Sequence, residues 1–275
     1  MSKAMTGKIS REPGSIGIPL GLIGAGVVAF LIIPVGFVIF YSFNKEVYFV
    51  FPPKEFTIEW YKNFFSAHFF RHSSVISLGL AAAVTPLSTI IAIAASYGLV
   101  RGRFKGASTL NALLLSPVII PGVITGMALM AFFGIVGMHW SFLNLVIAMT
   151  LVCLPYAVRT ISANLHGLNP SIEEAAINLG ASRWTTFLQI VLPQIRPGIL
   201  GSMVFVLATV LTDVSVSIFL TDYGTSTLAI TTLGYMRHRD DPTVAAVAAL
   251  LIALTVVLVL LVERFIGLEK FMTLD

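Results

Sequence analysis

The sequence predicts an all-α, polytopic membrane protein of six transmembrane helices, on three observations. Of its 275 residues 57% are hydrophobic and only 11% are Asp, Glu, Lys or Arg, whereas a soluble domain carries about a quarter charged residues. Mean hydropathy is +0.93. The apolar residues also collect in long uncharged runs, and the basic residues cluster between particular runs. Disorder, a collagen-like rod and a secreted disulfide scaffold are excluded by the same composition. Cys153 is the single cysteine and sits in an apolar run, so no intrachain disulfide exists. A net charge of +4 is too small to argue for nucleic acid.

A span needs roughly 20 apolar residues. Residues 16–43 contain no charge and are too long for the apolar core of a signal peptide, which predicts a retained first helix. Residues 73–100 form the second. Between Lys105 and Arg159 no acidic or basic residue occurs, which leaves room for two helices with GMHWSF (137–142) as the turn. The fifth run is 198–221, interrupted by Asp213, and the sixth is 243–262. This divides the chain into residues 1–71 (tail, first helix, external loop), a core of five helices at 72–265, and a tail at 266–275.

Six spans place both termini on one side, and charge decides which. With the N-terminus cytoplasmic, that side holds Lys3, Lys8, Arg11, Arg101, Arg103, Lys105, Arg159, Arg183, Arg196, Arg264 and Lys270. The other side holds Lys45, Lys54, Lys62, Arg71, Arg237 and Arg239. Cytoplasmic loops carry the excess of Lys and Arg, so both termini are expected inside. Pro34, Pro86, Pro117, Pro121 and Pro155 each remove a backbone donor inside a predicted helix. Pro117 and Pro121, followed by Gly122 and Gly126, suggest an irregular element facing a cavity or a close helix neighbour.

The connection 159–197 is too long for an ordinary loop between helices. Ser171 and Glu174 read as an S-x-x-E capping box behind Pro170. Glu173-Glu174-Ala175-Ala176 then continues as helix with its acids near the positive end of the dipole. Gly180 is expected to end it, Ser182 to cap a second short helix, and Pro193 and Pro197 to end or kink that one. A helix led by two glutamates is a poor match for anionic headgroups and suits a basic protein partner better.

Glu174-Ala175-Ala176, then Gly180 after three residues, Ile190 after nine more, and Leu192-Pro193 resemble the EAA motif at every fixed position. That motif marks the permease subunits of binding-protein-dependent ABC importers, and the resemblance spans roughly residues 70–265. It implies the type I ABC importer permease fold. It also implies that Glu173, Glu174, Ala175, Ala176, Gly180, Leu192 and Pro193 belong to a cytoplasmic coupling segment, with Glu174 as the polar contact to an ATPase. The chain has no G-x-x-x-x-G-K-[ST] phosphate loop, so ATP and magnesium are expected in that separate ATPase and no cofactor in this chain. The resemblance further implies two ATPase subunits, a second, related permease subunit and an extracytoplasmic solute-binding protein around a chain set in the inner-membrane bilayer. FTIEWYKNFF (56–65), YGLVRGRFKG (97–106) and the run 153–182 resemble the spermidine/putrescine-type subgroup, whose relatives also move aminophosphonates and ferric iron.

Asp213 is the acidic residue well inside a span, about 12 Å from the helix's outer end at ~1.5 Å per residue. With Thr209 and Ser217 four residues either side, it is expected to form one polar stripe along the translocation path, suited to a cation. A structural hydrogen bond is the alternative role. Phe56, Trp60 and Phe64 share one helical face and read as an interfacial anchor. The loop 222–242, with Asp222, Arg237, Arg239, Asp240 and Asp241, is the candidate docking surface for a binding protein. His139 beside Trp140 reads as interfacial. His68, His72, His166 and His238 lack metal-ligand spacing, and no catalytic pair appears within the spans. A self-contained secondary transporter would need internal repeats and several intramembrane charges, and neither is evident.

Overall fold

The computed structural model describes residues 17–47, 52–102, 105–139 and 141–266. Lys3, Lys8, Arg11, Arg103, Trp140, Lys270 and the tail 267–275 lie outside the described residues. The first span is α1 (Gly17–Tyr41) and continues through Pro34. No residue of its apolar window is buried within the chain. A short α2 (Glu59–Ser66) follows, then α3 (His68–Arg101), a helix of 34 residues.

The interfacial reading of 56–65 is corrected here. Helix α2 begins only at Glu59, and Phe56 instead pairs with Asn44 in an isolated antiparallel bridge. Trp60 and Phe64 are both buried. The Trp60 indole Nε1 donates to the Asn44 carbonyl at 2.6 Å, and Phe64 joins Phe70, Leu228 and Val247 in a small apolar cluster. The aromatics face protein because the loop before α2 folds back and offers the indole an acceptor.

The third span is α4 (Ala107–Ile119) and α5 (Gly122–Ile135), bent by 107° at Ile120 and Pro121. Proline supplies no N–H to continue the ladder, so the Pro121 carbonyl instead starts the next helix, accepting from Ile124 and Thr125. Gly137, at φ +69°, closes the turn into α6 (Ser141–Gly167). Leu145, Met149, Cys153, Ala157, Ile161 and Leu165 of α6 are fully buried. That four-residue stride makes one continuous stripe.

Helix α6 packs chiefly on α3, which meets it with small residues: Ser73, Ser77, Ala81, Ser88, Ala92 and Ser96 are buried along one side. Small side chains let helix backbones approach in the absence of water. Past α6 come α7 (Pro170–Asn178), α8 (Arg183–Thr186), a π-helical turn (Phe187–Val191) and α9 (Leu192–Gln194). A 67° bend then leads into α10 (Arg196–Thr212). Gly198 sits directly on α6, where an added Cβ would stand 2.6 Å from the Asn164 side chain.

Residues 222–242, read as a plain loop, contain α11 (Leu228–Met236). Leu228 is buried and its N–H donates to Ser77 Oγ at 2.7 Å, seating α11 on α3. The last helix is α12 (Thr243–Ile266), which touches α1, α2 and α10 and whose apolar stretch, Thr243–Val257, is shorter than a full span among the described residues. Among the described residues three helices, α1, α3 and α6, are long and apolar enough to cross a membrane unbroken, and the count rises to five if each bent pair is one span. Bonds between Arg101 and the end of α6 mark one end of the bundle; bonds from His72 and Ser141 to Gly224 and Asp222 mark the other.

Candidate functional site

Two regions hold the predicted site residues, one at each level of the bundle. At the Arg101 end, the capping box is replaced by a different cap. Asn169 Oδ1 accepts from the Ser171 N–H at 3.0 Å, and Pro170 opens α7. Proline preset at the first helical position moves the cap two residues upstream, so Ser171 lies inside the helix. The far end forms as expected: Gly180, at φ +93°, donates to Ile177 O while Ala181 donates to Ala176 O. These two bonds close a Schellman turn. Ser182 Oγ then accepts from the Thr185 N–H at 3.1 Å and caps α8.

The seven coupling residues divide into three groups. Glu174, Ala175 and Gly180 lie exposed on α7 and its turn, with Ala176 half-buried beneath them. Leu192 and Pro193 are half-buried in the bend toward α10, where Leu192 lines a groove with Tyr97, Trp184 and Phe187. Glu173 turns inward: its Oε1 pairs with Arg101 Nε at 2.7 Å, with both side chains largely buried. Sequence reasoning passed over the apolar part of the exposed surface. Leu179 is 90% exposed and Trp184 67%, beside the partly exposed Ile172 and Ile177. It also missed Arg101, counted only toward topology, and Tyr97, whose hydroxyl donates to Glu173 Oε2 at 3.4 Å.

Between the two ends of the bundle, the break between α4 and α5 and the end of α10 border an open cavity of about 420 Å³. Pro121, Thr125, Tyr156, Phe205, Thr209 and Asp213 are among its lining residues, and no Lys or Arg is. The rings of Tyr156 and Phe205 lie with centroids 4.8 Å apart and their planes tilted by 33°. Asp213 does not continue a helix. Its N–H still donates to Thr209 O, but its backbone turns extended (φ −68°, ψ 130°) and α10 ends. Its Oδ2 then accepts from the N–H groups of Val216 and Ser217 and from Ser217 Oγ, at 3.0–3.1 Å.

The single polar stripe is therefore corrected. Thr209 and Asp213 share the cavity, while Ser217 is fully buried behind the carboxylate and does not line it. An Asp carboxylate competes well for free N–H groups, so it breaks the helix here and caps the turn that follows. Gly122 and Gly126 explain how that turn is held. An added Cβ would stand 2.9 Å from Ser215 Cβ at the first and 2.7 Å from the Phe219 ring at the second. Helix α5 thus lies against the broken segment backbone to backbone.

The side chains lining the cavity carry a net negative charge. Helices α4 and α10 both end at its wall with the negative ends of their dipoles, and α5 begins there at Gly122 with its positive end, which offsets one of them. Asp213 adds a carboxylate whose Oδ1 takes no hydrogen bond among the described residues. At the end of the bundle opposite Arg101, Asp222 is bonded by Ser141, Thr225 and the Gly224 N–H, which hold its carboxyl below the usual range. Asp241 accepts from Tyr235 and from the Thr243 N–H, capping α12. Two acids of the expected docking loop are thus used internally, leaving Arg237, Arg239 and Asp240 exposed. His139 is exposed, and the described residues contain no cluster of three or more His, Cys, Asp and Glu that could hold a metal.

A helical bundle with broken spans around a polar cavity, and a short helix standing clear of one end, defines a membrane transport permease. Residues 19–267 match the family of binding-protein-dependent transport system inner membrane components, and the chain belongs to it. The chain is 30% identical to the spermidine/putrescine transport system permease protein PotC of Haemophilus influenzae, over 86% of this chain and 91% of that one. It is 29% identical to the putrescine transport system permease protein PotI of Escherichia coli, over 81% and 82%. Its fold is similar to a chain of a bacterial ABC transporter that imports the acidic polysaccharide alginate, with a TM-score of 0.66 over 94% of this chain and 96% of that one, at 14% identity.

Proposed function

We propose that this permease carries a polyamine across the inner membrane, past Asp213, driven by an ATPase that docks on α7. The observation that carries this reading is the cavity: it is lined by the Asp213 carboxylate and by no basic residue to neutralise it. A polyamine alternates ammonium groups with methylene segments. Asp213 and the terminal carbonyls suit the ammonium, and the Tyr156–Phe205 pair suits both the methylenes and, through its ring faces, the cation. The polyamine permeases PotC and PotI among its relatives agree with that chemistry. An aminophosphonate would meet like charge here, and ferric iron would want several anionic oxygens where one carboxylate stands.

The same reading assigns α7 and its turn to coupling. Glu174 offers a carboxylate to a basic residue of the ATPase, and Leu179 offers the apolar centre of a contact, as buried anchors do at interfaces. Two ATPase subunits, holding ATP and magnesium, would engage this permease and a related second one, with a solute-binding protein on the opposite face. Both termini then lie in the cytoplasm.

Replacing Asp213 with Asn tests the path. Asn keeps an acceptor oxygen for the Val216 and Ser217 donors, so the turn survives while the charge is lost. Uptake of putrescine by the reconstituted transporter is expected to fall about tenfold, some 1.4 kcal/mol, with the ATPase still attached. Unchanged uptake would reduce Asp213 to a capping residue.

A further inference from the structure

We infer that Arg101, with Tyr97, is the strut through which the docking helix moves the cavity wall. Arg101 is the last residue of α3, yet it binds two other elements at once. Its Nε meets Glu173 Oε1 on α7 at 2.7 Å, and its Nη2 donates to the carbonyls of Leu165 and Leu168, at 3.3 and 3.1 Å, where α6 ends. The planar fork of a guanidinium permits this division, which an ammonium could not hold in one geometry. Both partners are withdrawn from water, with side-chain exposures of 17% and 13%. The pair is thus screened less than a surface ion pair, and breaking it leaves a buried charge unpartnered.

Tyr97, one turn earlier on α3, repeats the connection. Its hydroxyl reaches Glu173 Oε2, while its ring meets Phe187 edge-on at 4.9 Å, and Phe187 in turn stacks on Trp184. Both halves of the connection between α6 and α10 are therefore fastened to α3, and α7 is fastened to the end of α6. Helix α6 carries Tyr156 into the cavity wall, nine residues before Leu165. A push on the exposed side of α7 enters through Glu173 and reaches α3 and α6 together. The EAA motif begins one residue after the side chain that makes this connection.

This inference rests on α7 being the ATPase-docking helix, and the experiment separates the two. Tyr156→Cys, in a chain with Cys153→Ser, is labelled with a maleimide in the complete transporter with and without ATP and vanadate. An allosteric coupling of ordinary size would change the labelling rate about fivefold or more. Arg101→Ala and the gentler Glu173→Gln should each reduce that response to below about twofold, and the double variant should be no worse than either single one, as expected for one shared interaction. The ATPase should remain attached in all three.

A response that persists in both single variants, losses that add, release of the ATPase by both, or no response in the unaltered transporter would overturn the strut. Leu179→Asp addresses docking alone: it should release the ATPase, and retention there would sink the docking assignment.

Discussion

Gly180 shows how a single backbone angle governs the coupling surface. Its φ of +93° lets the Schellman turn close, and nothing stands within 4 Å of where a Cβ would be. Substitution by Ala thus meets no clash, only the cost of a left-handed backbone, about 1–2 kcal/mol. The turn is exposed and joins two short helices, so that strain is expected to reshape the surface around Leu179 without unfolding the bundle. Gly180→Ala should insert normally and melt within a few degrees of the unaltered protein, but retain less ATPase on co-purification. Full retention would show that the surface tolerates a different turn. Asp213 makes the complementary point: one carboxylate both ends a membrane helix and faces the cavity, so capping and charge must be separated by Asn rather than Ala.

At the scale of elements, the decisive contact is α5 against the broken segment after Asp213. Two glycines four apart bring backbone onto backbone, and Gly126 has the Phe219 ring, Val216 Cα and Val216 O all within 3.1 Å of an added Cβ. Gly126→Leu is therefore expected to cost about 1–3 kcal/mol by overpacking and to displace the turn that orients Asp213. Thermal unfolding should show the loss, and putrescine uptake should fall with it. Gly134→Ala, on the same helix with nothing within 4 Å, is the control and should change neither.

The sequence made some of these elements legible and hid others for physical reasons. Gly180 and Ser182 announced their turns because both act through local backbone, and Pro117 with Pro121 announced an irregular span. Ser171 misled, because Asn169-Pro170 is an equally local signal that outcompetes it. Ser217 misled too, since a four-residue spacing means one face only while the helix continues, and Asp213 ends it. Trp60 and Arg101 were opaque for another reason: their partners, Asn44, Leu165 and Glu173, lie far along the chain, and periodicity carries no record of such contacts.

For the whole molecule, the two ends differ in what they present to a partner. Leu179 and Tyr223 are the most exposed large hydrophobic side chains among the described residues, and they stand at opposite ends of the bundle. Leu179 lies on the turn after α7, the end marked by Arg101; Tyr223 lies beside Asp222, the end marked by Ser141 and His72. The distribution of basic residues puts the first end in the cytoplasm. Single cysteines at these positions, with Cys153→Ser, should then label asymmetrically with a membrane-impermeant maleimide. Tyr223→Cys should react in spheroplasts and Leu179→Cys only in inverted vesicles. The opposite pattern would reverse the topology and place α7 where no ATPase could reach it. Within inverted vesicles the same cysteine separates topology from docking. The ATPase should slow labelling at 179 if Leu179 lies beneath it, whereas a rate indifferent to the ATPase would keep the orientation and move the docking surface elsewhere on that face.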